Sequence, residues 1–126
     1  MLQANDQLIG TVSPQIVESA SLLNSPHEGR TAEYEIAAWL RLPGLIDLPV
    51  SLLVSYRDGE RLRETTVDHG KVDGSGRVLL SGVARLPVQQ RIGEMQVCLR
   101  SAITPQAMQV ENLFVQAAEQ SHRVSA

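Results

Sequence analysis

The stretch Ala32-Glu33-Tyr34-Glu35-Ile36-Ala37-Ala38-Trp39-Leu40-Arg41-Leu42 decides how this chain folds. Its apolar residues recur at every second position. Tyr34, Ile36, Ala38, Leu40 and Leu42 share one face, and Glu33, Glu35, Ala37, Trp39 and Arg41 share the other. Successive side chains of an extended chain point to opposite sides, so a period of two predicts a strand with one face in a core and one toward water.

The same period runs through the middle of the chain. Val50, Leu52, Val54 and Tyr56 alternate with Ser51, Leu53, Ser55 and Arg57; a third set is Val78, Leu80, Gly82, Ala84 and Leu86. A fourth is Met95, Val97 and Leu99, with Gln96, Cys98 and Arg100 opposite. These predict half-buried antiparallel strands. Between two of them, Asp58-Gly59 predicts a two-residue type I′ hairpin turn, whose central residues both need positive φ. That register pairs Arg57 with Glu60, Tyr56 with Arg61, Val54 with Arg63 and Val50 with Val67. Pro14, Pro26, Pro43, Pro49, Pro87 and Pro105 fall at the edges of the predicted strands, where a missing N–H does least harm.

Two segments, Ser13–Ser25 and Thr104–Gln120, open with a hydroxyl residue, proline and glutamine. That is a helix start, with Ser13 or Thr104 as N-cap and proline at the first helical position. In the second segment Met108, Val110 and Phe114 alternate with Gln109 and Glu111, and strands are the reading adopted for both. Seven or eight short strands then predict an all-β antiparallel sandwich of jelly-roll type; two helices would instead give a five-stranded antiparallel meander with flanking helices. One domain is expected over residues 1–120, with 121–126 as a flexible tail.

The 126 residues are 43% hydrophobic, which suits a single core, and the net charge of −3 gives nucleic acid no electrostatic footprint. Lys71 is the only lysine, an arginine skew that fits a GC-rich bacterial genome. No basic run would hold the chain on an anionic membrane, and no apolar run approaches the roughly 20 residues that span a bilayer. Cys98 is the lone cysteine, which excludes an intrachain disulfide. MLQANDQLIG lacks the basic and apolar regions of a signal peptide, so the chain as written is expected in the cytoplasm, or outside the cell if excised from a larger protein.

Tyr34-Glu35-Ile36-Ala37-Ala38-Trp39-Leu40-Arg41 resembles the Tyr-x-hydrophobic-x-Ala-Trp-hydrophobic-Arg strand of the galactose-binding-like jelly rolls, which include several carbohydrate-binding modules. Val50–Tyr56 with Arg57-Asp58-Gly59 is similar to their next strand and turn. Leu80–Pro87, Met95–Leu99 and Val110–Val115 are similar to their closing strands. The resemblance covers roughly Ala32 to Gln116 and implies a jelly-roll β-sandwich. Gly76-Arg77-Val78 stands where these modules have a tryptophan, and Glu111 where they often have an aspartate.

The densest polar stretch, Thr65-Thr66-Val67-Asp68-His69-Gly70-Lys71-Val72-Asp73-Gly74-Ser75-Gly76, fits neither an EF-hand nor a P-loop. Gly70 stands where a calcium ligand should be, and Val72 follows the lysine where Ser or Thr is needed. Asp73-Gly74 and Ser75-Gly76 carry turn chemistry ahead of a strand, so the expectation is a plain connection. Adjacent Asp68 and His69 point to opposite sides, so one does not orient the other. Cys98 would act as a nucleophile only if His69 reached it. His27, His69 and His122 lack ligand spacing, so no metal or cofactor is expected.

Trp39 is the sharpest candidate. Exposed among Glu33, Glu35 and Arg41, it would stack on a sugar or anchor a protein; covered, it would belong to the core. The expectation is a non-enzymatic binding domain whose saccharide-like or polar uncharged ligand lies on the face of Trp39, Glu33, Glu35 and Arg41. The alternative is a protein–protein assembly or scaffold domain, with a homodimer among its forms.

Overall fold

The computed structural model describes residues 6–25, 29–103, 105 and 107–118. His27, Thr104, His122 and the expected tail at 121–126 lie outside the described residues. The elements are β1 (Asp6–Thr11), α1 (Pro14–Ser19), β2 (Leu23–Ser25), β3 (Gly29–Arg41), β4 (Pro49–Asp58), β5 (Arg61–Lys71), β6 (Arg77–Val88), β7 (Ile92–Ser101) and β8 (Gln109–Ala117).

They form two antiparallel sheets packed as a sandwich, the all-β class that the alternation predicts. One sheet runs β1-β7-β4-β5. The other is built on β3, which pairs with β6 along one side and with β2 and then β8 along the other. Every large inward residue of the four period-two strands is buried, including Tyr34, Ile36, Leu40, Leu42, Leu52, Val54, Tyr56, Leu80, Leu86, Met95 and Leu99. Burial of each such aliphatic side chain stabilises the fold by about 1.5–3 kcal/mol.

The tyrosine hydroxyls take polar partners at the rim of this core. Tyr56 donates to Pro87 O at 2.8 Å, and Tyr34 donates to Val17 O at 2.6 Å. Burial pushes the Tyr34 hydroxyl up to about 12, so it remains a neutral donor that fastens α1 to β3.

Three local expectations are corrected. Ser13–Ser25 holds a helix followed by a short strand, because the helix-start residues act as such: Pro14 occupies the first turn and Ser13 Oγ accepts from Ile16 N at 3.4 Å. The hairpin turn is shifted by one residue, with Asp58 paired to Arg61, Arg57 to Leu62 and Tyr56 to Arg63. Gly59 at φ +63 is then the first central residue, the place where a type II′ turn takes its glycine. Asp58 stays in the strand because its carboxylate is held there by Gln89 N and Gln90 N, each at 2.8 Å, and by Arg63.

The third correction concerns β8, which is a strand as adopted but carries an irregularity opposite Trp39 and Leu40. Asn112 pairs with Trp39 and Val110 with Leu40, so Glu111 is the extra residue. Downstream of it Leu113 and Val115 pack against the core, and Phe114 turns outward.

The glycine-rich stretch splits in two. Thr65–Lys71 is strand, and the turn is confined to Val72–Gly76. Asp73 Oδ1 accepts from Ser75 N, Ser75 Oγ and Arg77 N, the local turn chemistry expected of it. Asp68 serves the edge between the sheets: Oδ2 accepts from Ser81 N on β6 at 2.9 Å, and Oδ1 from the backbone of His69. Among the described residues β6 has one strand partner, so this bond occupies a donor on its free edge.

Candidate ligand-binding face

The solvent face of the β6-β3-β8 sheet is laid out by register. Trp39 on β3 stands opposite Leu79 on β6 and Asn112 on β8; Ala37 stands opposite Ser81 and Phe114; Glu35 stands opposite Val83 and Gln116. Trp39 is 39% exposed, Phe114 43%, Leu79 52% and Val83 47%, so four large apolar side chains reach water on one sheet face. Trp39 and Phe114 are diagonal cross-strand neighbours, a separation of roughly 7–8 Å. Small Ala37 and Ser81 leave a shallow depression of about 270 Å³ between Phe114 and Val83, with Glu35 and Gly82 also lining it.

Polar groups border this strip. Glu35 Oε2 accepts from Gln116 Nε2 at 2.7 Å. At the near end Arg41 lies directly opposite Arg77, and Glu111 lies 3.9 Å from Arg41 Nε and 3.7 Å from Arg77 Nε. At the far end Glu33 Oε2 accepts from Arg85 Nε at 2.8 Å, and Glu33 itself is 2% exposed.

Of the four residues expected at the site, the fold sets Trp39, Glu35 and Arg41 on one open face. Glu33 shares the face, but it is buried and lies six residues from Trp39, roughly 20 Å along the strand. Phe114, Leu79 and Val83 were missed. Leu79 and Val83 sat in plain view as outward members of an alternating strand, whereas Phe114 was disguised by the extra residue at Glu111.

Other chemistry is thin. His69 Nδ1 lies 2.8 Å from Ser51 Oγ, a serine–histidine contact between neighbouring strands that sequence reasoning did not foresee. No third side chain is hydrogen-bonded to that ring among the described residues. Cys98 is fully buried opposite Leu53 on the outward side of its sheet, contrary to the alternation, which placed both on a polar face. Burial, with Asp6 adding to it, pushes the thiol up to about 11. Among the described residues no three His, Cys, Asp or Glu side chains converge as metal ligands. No helix there is long and apolar enough to cross a membrane. A cleft of about 430 Å³ lies elsewhere, between α1 and the β3, β6 and β7 ends, with Val17, Tyr34 and Val88 in its wall and Glu18 and Arg91 at its rim.

Among solved structures, the chain is similar to the N-terminal endo-1,4-β-D-xylanase 10B of Clostridium thermocellum, CBM22-1 and GH10 modules complexed with xylohexaose. The TM-score is 0.57 at 12% identity, over 94% of this chain and 26% of that one. The two share a fold. The similarity is to the carbohydrate-binding CBM22 module, and the chain spans about a quarter of the xylanase's length. No family model matches the chain, and no curated protein matches it.

Proposed function

We propose that this domain is a non-catalytic saccharide-binding module whose platform is Trp39 with Phe114. The observation that carries the reading is the exposure of Trp39 on an open sheet face. A pyranose ring has an apolar C–H face and a rim of hydroxyls. An aromatic side chain takes the first, and amides and carboxylates placed beside it take the second. Glu35, Gln116, Asn112 and Ser81 stand beside the platform for that purpose. The likeness to a CBM22 module supports the reading and nominates xylohexaose as the first probe.

The test is calorimetric titration of the chain with xylohexaose and with hits from a glycan array. Trp39→Ala is expected to weaken binding roughly thirty-fold, the equivalent of about 2 kcal/mol for a central aromatic anchor. Unchanged affinity in both Trp39→Ala and Phe114→Ala overturns the assignment. A second reading is favoured by Leu79 and Val83, whose exposure widens the apolar strip. In that reading the same face docks another protein chain, and light scattering would report a mass above that of the monomer.

A further inference from the structure

We infer that the saccharide bound on this face carries a carboxylate, as a uronic acid residue does, and that Arg41 and Arg77 hold it beside Trp39. The inference rests on the saccharide reading of the same face and adds the ligand's charge.

Arg41 and Arg77 are directly paired across β3 and β6, an arrangement of like charges that costs stability unless an anion lies between them. Among the described residues one carboxylate, Glu111, approaches both, and its contacts of 3.9 Å and 3.7 Å are outside hydrogen-bond range. Arg41 Nε is buried and has no hydrogen-bond acceptor among the described residues. Other arginines of the chain show what a satisfied guanidinium looks like here. Arg63 meets Asp58 at 3.0 Å, Arg85 meets Glu33 at 2.8 Å and Arg100 meets Asp6 at 2.7 Å. The Arg41–Arg77–Glu111 group therefore keeps one net positive charge and unfilled donors, with both arginine side chains partly exposed.

The position of the group ties it to the aromatic platform. Arg41 follows Trp39 by two residues on the same strand face, roughly 7 Å away, and Arg77 precedes Leu79 in the same way. A sugar ring stacked on Trp39 thus sets a carboxylate substituent within reach of two planar guanidinium forks, the geometry best suited to bidentate carboxylate recognition. The opposite end of the face is net acidic, with Glu33 and Glu35 against Arg85, which directs an anionic substituent toward the Trp39 end.

The experiment compares two probes by fluorescence titration of the full chain: xylohexaose, and a xylo-oligosaccharide of similar length bearing one glucuronic acid branch. The branched probe is expected to bind at least ten-fold more tightly at low salt, and the preference should shrink as sodium chloride is added. Arg41→Gln and Arg77→Gln should each remove most of the preference for the branched probe, with a smaller change in xylohexaose binding than in that preference. Arg85→Gln should keep the preference. Arg77 is the more exposed of the pair, so its variant keeps the test sound if Arg41→Gln is poorly folded. Equal binding of the two probes overturns the carboxylate inference and leaves the stacking platform standing. Binding of neither at millimolar concentration overturns the carboxylate inference, and the saccharide reading falls with it if no array glycan binds.

Discussion

Replacing Asp58 by alanine is expected to lower folding stability by about 3 kcal/mol. The residue is 1% exposed, and its two oxygens accept from Gln89 N at 2.8 Å, Gln90 N at 2.8 Å and Arg63 Nη1 at 3.0 Å. These bonds tie the β4–β5 hairpin to the turn between β6 and β7. Alanine leaves two backbone donors unpaired; because Gln89 and Gln90 lie at the surface, each is taken at the low end, about 1 kcal/mol. Loss of the charge-assisted bond to Arg63 adds about as much again. In a urea titration with a slope of about 2 kcal/mol per molar, the midpoint should fall by about 1.5 M. Asp58→Asn keeps the shape and one acceptor oxygen, and should lose less.

The pH dependence follows from the same contacts. Burial pushes the Asp58 carboxyl up, but the two amides and Arg63 outweigh it and hold the group below its ordinary value. A carboxyl depressed in the folded state contributes stability above its unfolded value of about 3.9, and that contribution fades as pH falls through the folded value. The gap between wild type and Asp58→Asn should therefore narrow below about pH 4. Midpoints for wild type and Asp58→Ala within about 0.3 M of each other at pH 7 would refute the reasoning.

Two further outcomes follow from the geometry. Gly76 has φ +79, and a Cβ there would lie 3.1 Å from Leu42 O, so Gly76→Ala should cost about 2 kcal/mol by urea denaturation. Gly74→Ala, with open space around it, should change little by the same measurement. Cys98, with its thiol pushed up to about 11 by burial, should resist a thiol reagent at pH 8 and react fully once urea unfolds the chain; rapid native-state labelling would contradict its placement.

The sandwich was legible because period-two alternation is imposed by a two-faced sheet, and Ala32–Leu42 obeys it without interruption. Details set by tertiary contacts were less visible. Asp58-Gly59 reads as a turn pair on local chemistry, yet Gln89 and Gln90, some thirty positions along the chain, draw Asp58 back into the strand. Leu53 and Cys98 follow the alternation outward yet are buried beside a network in which Arg100 binds Asp6 and Glu64. Trp39 could be found from sequence because its own strand is regular. Phe114 could not, because one extra residue at Glu111 reverses the parity of everything after it, and that same residue brings a carboxylate to Arg41 and Arg77.

The central claim is that a saccharide stacks on the exposed indole of Trp39. As the chain's only tryptophan, it reports on the platform without interference from any other indole. Titration with xylohexaose, or with the best array hit, should give a saturable change in its emission and shield it from acrylamide quenching. The Phe114→Ala variant should show a weaker version of both effects. Saturable saccharide binding by calorimetry, with the emission and quenching of Trp39 unchanged, would contradict the account.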